Sequence, residues 1–259
     1  MNLQWFTAQV QELNGALKAQ HAEVEIPDVE LVEYQPQIGA DLARYIDHTL
    51  LKPEATYKQI CEEITAAKAY AFASICVQPC YVAMAVELLQ GVVPVCTVVG
   101  FPHGATTTIC KVMETRDAIA NGAAEVDMVL QIGALKSGDY LSVYRDIARV
   151  KEAAGQHTVK VILETSLLDD AAIVKACLLA KAAGADFVKT STGFAGGGAT
   201  IHAVRLMRLS VGPEVGVKAA GGIRDRKTAL AMLHAGANRL GTSAGIAIVN
   251  GIAGETHAY

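Results

Sequence analysis

The sequence of 259 residues predicts a single (β/α)8 TIM barrel of the α/β class with an N-terminal helical extension. Three observations predict it. From Ala40 onward, short β-branched runs alternate with Ala-rich helical patterns. The runs are apolar without polar alternation, as expected of parallel strands buried on both faces. Eight such pairs fit into about 210 residues and no GxGxxG turn follows the first run, which favours a barrel over a doubly wound sheet.

The extension is predicted to occupy residues 1–40. It combines an amphipathic helix with an acidic, Pro-containing linker, and residues 41–259 then form the barrel. We expect the helix to pack on the barrel or on a partner subunit. Its apolar positions recur at three- and four-residue steps, as in an amphipathic helix: Leu3, Phe6, Val10, Leu13 and Leu17.

Eight strands are predicted between residues 45 and 242, and several of the helices between them end at a Gly-Ala pair, a C-terminal stop signal. The predicted strands are Tyr45–Leu51, Phe72–Val77, Val93–Val99, Glu125–Ile132, Thr158–Thr165, Phe187–Thr192, Val215–Ala220 and Arg239–Thr242. The Gly-Ala pairs are Gly122-Ala123, Gly184-Ala185 and Gly236-Ala237.

Composition excludes several classes of protein. The formal charge is −4 with no strong basic patch, which argues against a nucleic-acid partner. No apolar run approaches the roughly 18 residues that span a bilayer, and the N-terminus lacks the features of a secretory signal. The six cysteines and seven histidines match no metal-ligand spacing. We therefore expect a cytoplasmic protein with reduced thiols, no metal and no membrane partner.

Three lysines occupy equivalent Val-Lys steps in successive predicted strands. Lys160, Lys189 and Lys218 are separated by 29 residues (189 − 160) and again by 29 (218 − 189). A lysine in a buried strand is costly because desolvation disfavours its ammonium group. Three at a constant interval indicate a repeated unit that directs amines to one interior point. Asp127, flanked by Val126 and Met128, has the same inward pattern one strand earlier.

Such a cluster is suited to Schiff-base chemistry. Two like charges about 4 Å apart repel by about 4 kcal/mol at an effective dielectric of 20, which equals about three pKa units for a lysine that is free near 10.4. One amine would then be partly neutral and nucleophilic toward a carbonyl. The structural alternative is a buried ion-pair network in which the lysines pair with Asp127, Glu164 and other carboxylates.

Two glycine-rich turns follow the last two strands. Gly221-Gly222 comes after the seventh strand, and Gly241-Thr242-Ser243 after the eighth, where barrels commonly hold a phosphate with backbone N–H groups. Arg224 could add a charge-assisted contact. The alternative is that these glycines only make tight turns. Residues 196–200 predict a flexible loop that ends in a helix cap at Thr200.

In order along the chain, seven segments resemble the strand motifs of the deoxyribose-phosphate aldolase family, and the resemblance covers roughly residues 45–245. KTSTG together with VKAAGGIR is highly specific. The segments are Tyr45–Pro53 (YIDHTLLKP), Val99–Thr106 (VGFPHGAT), Glu125–Val129 (EVDMV), Lys160–Thr165 (KVILET), Phe187–Gly193 (FVKTSTG), Val217–Arg224 (VKAAGGIR) and Arg239–Ser243 (RLGTS).

The resemblance implies reversible cleavage of 2-deoxy-D-ribose 5-phosphate to D-glyceraldehyde 3-phosphate and acetaldehyde, without metal or cofactor. It implies that Lys189 is the Schiff-base nucleophile and Lys218 the cation that favours its neutral amine. Asp127 would relay protons and Lys160 would support the charge network. Implied substrate contacts are Asp47, Thr49 and Thr192, and the implied phosphate site comprises Gly193, Gly221, Gly222, Gly241 and Ser243, with Arg224 as its main cation.

Three features lie outside the common pattern or at its edge. Family members often end in a tyrosine on a mobile tail that assists proton transfer, which implies that role for Tyr259. Phe194 stands where some members carry a lysine that contacts the phosphorylated end of the substrate, so we expect a phosphate pocket poor in positive charge with Arg224 as its main cation. The extension is unexplained, and a homo-oligomer, dimer or tetramer, is expected. Open alternatives are another Schiff-base aldolase or transaldolase, or a non-catalytic sugar-phosphate-binding barrel.

Overall fold

A computed structural model of the chain describes residues 2–27, 29, 31 and 34–252. Within these residues, eight parallel strands pair in sequence order, and β8 closes on β1. The (β/α)8 barrel is therefore confirmed. The strands are β1 Ile46–Leu50, β2 Ser74–Val77, β3 Val95–Val99, β4 Glu125–Val129, β5 Thr158–Ile162, β6 Phe187–Lys189, β7 Gly216–Ala220 and β8 Arg239–Thr242.

The predicted strands were correct in order and too long at several ends. β4 ends at Val129 instead of Ile132, because Ile132 already begins a helix. β6 ends at Lys189 although the β-branched Thr190 and Thr192 follow it. The chain leaves the sheet there to form the loops at the carboxyl ends of the strands, and periodicity alone does not signal that departure.

The helices surround the barrel. They are α1 Leu3–Ala19, α2 Tyr57–Tyr70, α3 Val82–Leu89, α4 Thr108–Ala120, α5 Ile132–Lys136, α6 Tyr140–Ala154, α7 Asp170–Ala182, α8 Ile201–Val211, α9 Arg226–His234 and α10 Gly245–Asn250. Short 3-10 turns occupy Leu42–Tyr45, Pro79–Tyr81 and Thr165–Leu167.

The Gly-Ala stop signals have the predicted geometry. Gly122, Gly184 and Gly236 all adopt positive φ, between 80° and 115°. The alanine after each glycine donates its N–H five residues back, as Ala123 does to Ala118, which closes a Schellman motif. Glycine is required because a side chain at positive φ is strained. Thr200 caps α8 as predicted, since its hydroxyl accepts from the Ala203 N–H.

The extension packs on its own barrel. In α1, Phe6, Val10, Leu13 and Leu17 are buried as predicted, whereas Leu3, at the start of the helix, is 53% exposed. The apolar face of the helix lies against α6 and α7. The Asn14 amide then holds the following chain by donating to the Ile26 carbonyl and accepting from its N–H.

Polar contacts also fasten the extension to the outer helices. Gln20 joins the α5–α6 turn by donating to the Gly138 carbonyl and accepting from the Leu141 N–H. Lys175 of α7 pairs with Glu12 at 2.6 Å. No helix among the described residues is long and apolar enough to cross a membrane. A cytoplasmic location stays a prediction from sequence.

Candidate active site

The barrel interior contains the three Val-Lys lysines, side by side on β5, β6 and β7. The strand register pairs Asp127 with Lys160 and Lys189 with Lys218. Alternate strand residues point to the same face, so these side chains all project into the barrel. Lys160 and Lys218 are fully buried, and Lys189 is 2% exposed. The equal sequence interval therefore corresponds to a real convergence of amines.

Asp127 is the hub of this cluster. Its Oδ1 accepts from Lys160 Nζ at 2.8 Å, and its Oδ2 accepts from Lys189 Nζ at 2.9 Å and from Lys218 Nζ at 2.7 Å. Cys96 Sγ adds a fourth donor at 3.1 Å from Oδ1. One carboxylate is thus shared among three ammonium groups, which leaves each only partly compensated.

The lysines differ in their other partners. Lys160 Nζ also lies 2.5 Å from Glu125 Oε2, and Lys218 Nζ lies 2.5 Å from Asp47 Oδ2. These two contacts are ionic, since their geometry is not that of an aligned hydrogen bond. Among the described residues, Lys189 has a single carboxylate partner, Asp127. Lys189 is therefore the amine with the fewest carboxylate contacts of the three.

The pKa values of the neighbours follow from these contacts. Burial opposes ionisation of Asp127, but the three ammonium groups outweigh it and hold its pKa well below the usual range. Burial likewise opposes the charges of Lys160 and Lys218, whereas Asp127 and the second carboxylates raise the pKa of both lysines above the ordinary value. The contacts thus favour the charged form of the two lysines beside Lys189.

Sequence reasoning missed two charged residues of this network, Glu125 and Arg239. Arg239 begins β8, and its guanidinium lies 2.5 Å from Asp47 Oδ1 and 3.4 Å from Glu125 Oε1. Glu125 stands two residues before Asp127 and so shares its face. That period-2 spacing was a usable signal, whereas the pairing of Arg239 with Asp47 needs the closure of β8 on β1.

The structural alternative named Glu164 as a lysine partner, and the contacts differ from that expectation. Glu164 is 1% exposed, and its Oε2 accepts from the Thr192 hydroxyl and from the Thr192 N–H. Thr192, a predicted substrate contact, thus holds the loop after β6. Asp47 lies inside the ion network, and Thr49 donates its hydroxyl to the Asp47 carbonyl. Their roles toward substrate stay predictions.

The predicted phosphate residues gather at the carboxyl ends of β6, β7 and β8. Gly193, Gly221 and Gly222 adopt φ of 89°, 85° and 78°, which turns consecutive backbone groups at Gly221-Gly222 outward from the strand. Gly241 is buried in β8, Ser243 is exposed and Arg224 is half-buried. These residues surround a common rim.

The Gly196–Gly198 loop also reaches this rim. A Cβ on Gly198 would lie 2.5 Å from the Gly221 carbonyl oxygen, and the Ala199 N–H donates to that carbonyl. The loop predicted to be flexible is therefore packed against the turn after β7. Glycine is needed because only a residue without a Cβ permits this approach.

An aromatic pair bridges the mouth of the barrel. Phe101, after β3, and Phe194, after β6, meet edge to face with centroids 5.3 Å apart. Phe101 also packs against the buried cluster that contains Leu51 and Val98. The mouth thus has an apolar side facing the glycine-rich rim. Tyr259 lies outside the described residues.

One group of side chains has the spacing of metal ligands. Among the described residues, the ligand atoms of Cys76, Cys96 and Asp127 lie within 4.8 Å of one another. Lys160 Nζ lies 3.3 Å from the Cys96 sulfur and donates to Asp127. An ammonium group already bound to two of the three ligands would repel a metal cation, so the cluster does not fit a metal site.

Comparisons with known proteins agree with this geometry. Residues 41–251 match the model of the DeoC/LacD family aldolases. A deoxyribose-phosphate aldolase from Brevibacillus brevis is 58% identical over 212 residues, which cover 82% of this chain and 96% of that protein.

Solved structures give the same result. A putative deoxyribose-phosphate aldolase from Coccidioides immitis superposes with a TM-score of 0.83 at 43% identity, covering 93% of this chain and 96% of that one. A deoxyribose phosphate aldolase from Aeropyrum pernix, described as a tetramer, gives a TM-score of 0.75 at 33% identity, with coverage of 82% and 90%. The chain belongs to the DeoC/LacD aldolase family.

Proposed function

We propose that this chain is a class I aldolase, a carbon–carbon lyase that reversibly cleaves 2-deoxy-D-ribose 5-phosphate to D-glyceraldehyde 3-phosphate and acetaldehyde. The observation that carries the proposal is the unequal sharing of Asp127. Lys160 and Lys218 each have a second carboxylate, whereas Lys189 shares its single carboxylate contact with Lys218. Lys189 is therefore the amine that can lose its proton and attack a carbonyl.

The chemistry follows from these positions. The neutral Lys189 amine adds to the aldehyde carbon of the open-chain sugar, and the carbinolamine loses water to give an iminium ion. A base removes the proton of the C3 hydroxyl, the C2–C3 bond breaks, and its electron pair forms an enamine as glyceraldehyde 3-phosphate leaves. Protonation of the enamine carbon and addition of water release acetaldehyde and free Lys189.

Each neighbour has a role in moving protons. Lys218, which stays an ammonium ion, can donate to the departing carbinolamine hydroxyl and stabilises the neutral state of Lys189. Asp127 keeps the amines in place and relays protons through water. Because its pKa is strongly depressed, it is a weak base until Lys189 becomes neutral and one ammonium neighbour is lost. Lys160 stabilises the negative charge of Asp127 through its 2.8 Å contact with Oδ1.

The phosphate would bind at the glycine-rich rim. Backbone N–H groups of Gly193, Gly221 and Gly222, with Gly241 and the Ser243 hydroxyl, are the proposed donors. Arg224 is the proposed cation, and Asp47, Thr49 and Thr192 complete the predicted sugar contacts. Phe194 stands where some family members carry a lysine that contacts the phosphate, so this pocket has less positive charge. We therefore expect activity on unphosphorylated 2-deoxyribose to be a comparatively large fraction of activity on the phosphate. A preference of many orders of magnitude for the phosphate would contradict this.

Two further roles stay proposals from the resemblance. Tyr259 is proposed to assist proton transfer at the enamine carbon, and Tyr259→Phe should then slow exchange of the acetaldehyde methyl protons with solvent. The chain is also proposed to form a homo-oligomer. If residues 1–40 contribute to the subunit contact, their deletion should change the number of subunits calculated from the light-scattering mass, and an unchanged number would contradict that role.

Borohydride reduction with acetaldehyde or substrate tests the activity. We expect a covalent adduct at Lys189, located by mass spectrometry, and its loss in Lys189→Ala. An unmodified protein would overturn the aldolase assignment in favour of a non-catalytic sugar-phosphate-binding barrel. Product analysis from deoxyribose 5-phosphate then distinguishes this activity from that of a transaldolase or another Schiff-base aldolase.

A further inference from the structure

The amino-terminal end of the barrel contains an ion pair that has no role in the proposed chemistry. Glu125 is the first residue of β4 and Arg239 the first residue of β8, and their side chains meet at 3.4 Å. Residues at this end of a TIM barrel ordinarily serve stability, because catalytic residues lie at the carboxyl ends of the strands. This pair differs because Glu125 contacts Lys160, and Arg239 contacts Asp47, which pairs with Lys218.

Two contact paths lead from the pair into the site. Arg239 holds Asp47 Oδ1 at 2.5 Å, and Asp47 Oδ2 lies 2.5 Å from Lys218 Nζ. Arg239 therefore shares the carboxylate that compensates Lys218 and, at 3.7 Å, Lys160. Glu125 Oε2 lies 2.5 Å from Lys160 Nζ, so it compensates part of the positive charge of Lys160 that Asp127 would otherwise compensate.

The local packing places both groups firmly. The Arg239 guanidinium lies 5.6 Å from the centroid of the Phe187 ring. Gly216 makes room for that ring, since a Cβ on Gly216 would lie 2.1 Å from a ring carbon. The Arg239 side chain keeps 16% exposure and that of Glu125 keeps 10%, so water reaches the pair from the amino-terminal end.

Counting the ion-paired charges shows why this matters. Within the described residues, the ion-paired set inside the barrel holds four cations and three carboxylates, so it carries one uncompensated positive charge when every group is ionised. That charge is removed when one lysine becomes neutral. The cations are Lys160, Lys189, Lys218 and Arg239, and the carboxylates are Asp47, Glu125 and Asp127.

We propose that Glu125 and Arg239 are a positioning pair that sets, from the opposite end of the barrel, the fraction of Lys189 present as neutral amine at a given pH. This inference rests on the proposed role of Lys189 as nucleophile. Arg239 opposes protonation of Lys189, and Glu125 favours it. The two residues therefore act on the same amine with opposite sign.

Three further titratable groups face the set. Burial raises the pKa of Cys96 on β3, so Cys96 contributes a neutral thiol. The hydrogen bond with Cys96 lowers the pKa of Cys76 on β2. Glu164, after β5, is bound by Thr192. Repeating the experiment below in a Cys76→Ala background removes the thiol from the pH profile, and the shifts should persist.

The test is the pH dependence of reductive trapping with acetaldehyde and cyanoborohydride, read as the adduct at Lys189. Glu125→Gln removes a negative charge and should move the midpoint to lower pH, and Arg239→Gln should move it to higher pH. Charges two strand spacings apart, about 10 Å, interact at a dielectric near 20 by about one pKa unit. Each shift should therefore be about one pH unit.

Matched variants separate this role from a structural one. Arg239→Lys keeps the charge and should keep the midpoint, and the double variant Glu125→Gln/Arg239→Gln should return close to it. Asp186→Asn removes a carboxylate that pairs with Lys151 outside the barrel wall and should leave the midpoint in place. A purely structural pair would lower the unfolding temperature of the single variants without opposite shifts.

The outcomes are distinguishable. Two single variants that shift in the same direction, or that do not shift, overturn the inference while wild-type trapping at Lys189 still supports the aldolase. Absence of any Lys189 adduct in the wild type at every pH overturns the proposed function itself. The inference predicts the direction of the midpoint shift for each single variant, so one folded variant is enough to test it. If neither folds, Glu125→Asp should give a smaller shift to lower pH, and an unshifted midpoint there would also count against the pair.

Discussion

Two buried lysines, Lys111 and Lys189, show how the partners of an amine decide its role. Lys111, in the helical shell, donates to Asp146 at 2.6 Å and to the Val129 carbonyl at 2.9 Å. Among the described residues, Asp146 pairs with no other cation. Its second oxygen accepts from the Thr108 hydroxyl. Lys189 instead shares one oxygen of Asp127 with Lys218.

This difference separates an ion pair with one cation and one carboxylate from a cluster in which several cations share one carboxylate. In the shell, one cation meets one carboxylate, and loss of a proton would leave a buried unpaired charge. In the barrel, loss of a proton from Lys189 relieves an excess of positive charge. Burial alone therefore does not distinguish Lys111 from the proposed nucleophile, whereas the sharing of the counter-ion does.

The largest expected effects come from removing each lysine. Lys189→Ala should lower kcat on the order of 10⁴-fold or more, because the covalent path is lost. Lys111→Met should leave the trapping of Lys189 intact but destabilise the fold by about 3–5 kcal/mol, because Asp146 is left buried without its cation. Steady-state kinetics and denaturant unfolding measure the two effects. The comparison fails if Lys111→Met abolishes trapping in a protein that is still folded.

A second prediction concerns the neighbour that shares Asp127. Lys218→Ala removes an ammonium beside Lys189, so the acidic limb of kcat/KM for the residual activity should move to higher pH. The residual kcat should fall by about 10² to 10⁴, the usual range for loss of a proton-transfer group. A pH profile of unchanged shape with only a reduced amplitude would mean that Lys218 does not control the charge of Lys189.

A third prediction uses acid stability. The pKa of Asp47 is lowered because Lys218, Lys160 and Arg239 outweigh the effect of burial. A depressed carboxyl pKa stabilises the fold above the unfolded value of about 3.9, and this contribution is lost as pH falls toward the folded pKa. Asp47→Asn should therefore have a lower free energy of unfolding than the wild type at pH 7. Between about pH 4 and pH 2, that free energy should fall less steeply than in the wild type. Denaturant midpoints across this range check it, and a decline as steep as that of the wild type would be the contrary result.

The smallest effect is expected at a third buried lysine, Lys175. Its partner Glu12 is 62% exposed, and the Lys175 ammonium also lies 5.6 Å from the centroid of the Tyr140 ring. Glu12→Gln should cost less than about 1 kcal/mol, since exposed ion pairs contribute little. A loss of several kcal/mol would show that α1 is held mainly by this pair and not by its apolar face.

Much of the fold was predictable because it depends on local signals. Positive-φ glycines end the helices, and apolar runs without alternation mark the parallel strands. The lysine interval also predicted the convergence of Lys160, Lys189 and Lys218. Strand ends were less predictable, because Ile132 and Thr192 continue the apolar or β-branched pattern after the chain has left the sheet.

The partners of the lysines were the part that sequence reasoning did not reach. Glu164 was named as a pairing carboxylate, yet it binds Thr192, whereas Glu125 was overlooked. Arg239 and Asp47 are separated by most of the chain and meet through strand closure. Such contacts depend on register around the barrel, which a one-dimensional pattern does not contain.

The closure of β8 on β1 joins the first and last strands of the barrel to be synthesised. Asp47 leaves the ribosome early, and Arg239 emerges well after Lys189. Until the last strand has paired, the lysines of the nascent chain are ordinary solvated amines, protonated near neutral pH and poorly reactive toward aldehydes. On the proposed role of Lys189, its reactive form would arise only with the finished barrel, because the charged groups around it come together only there.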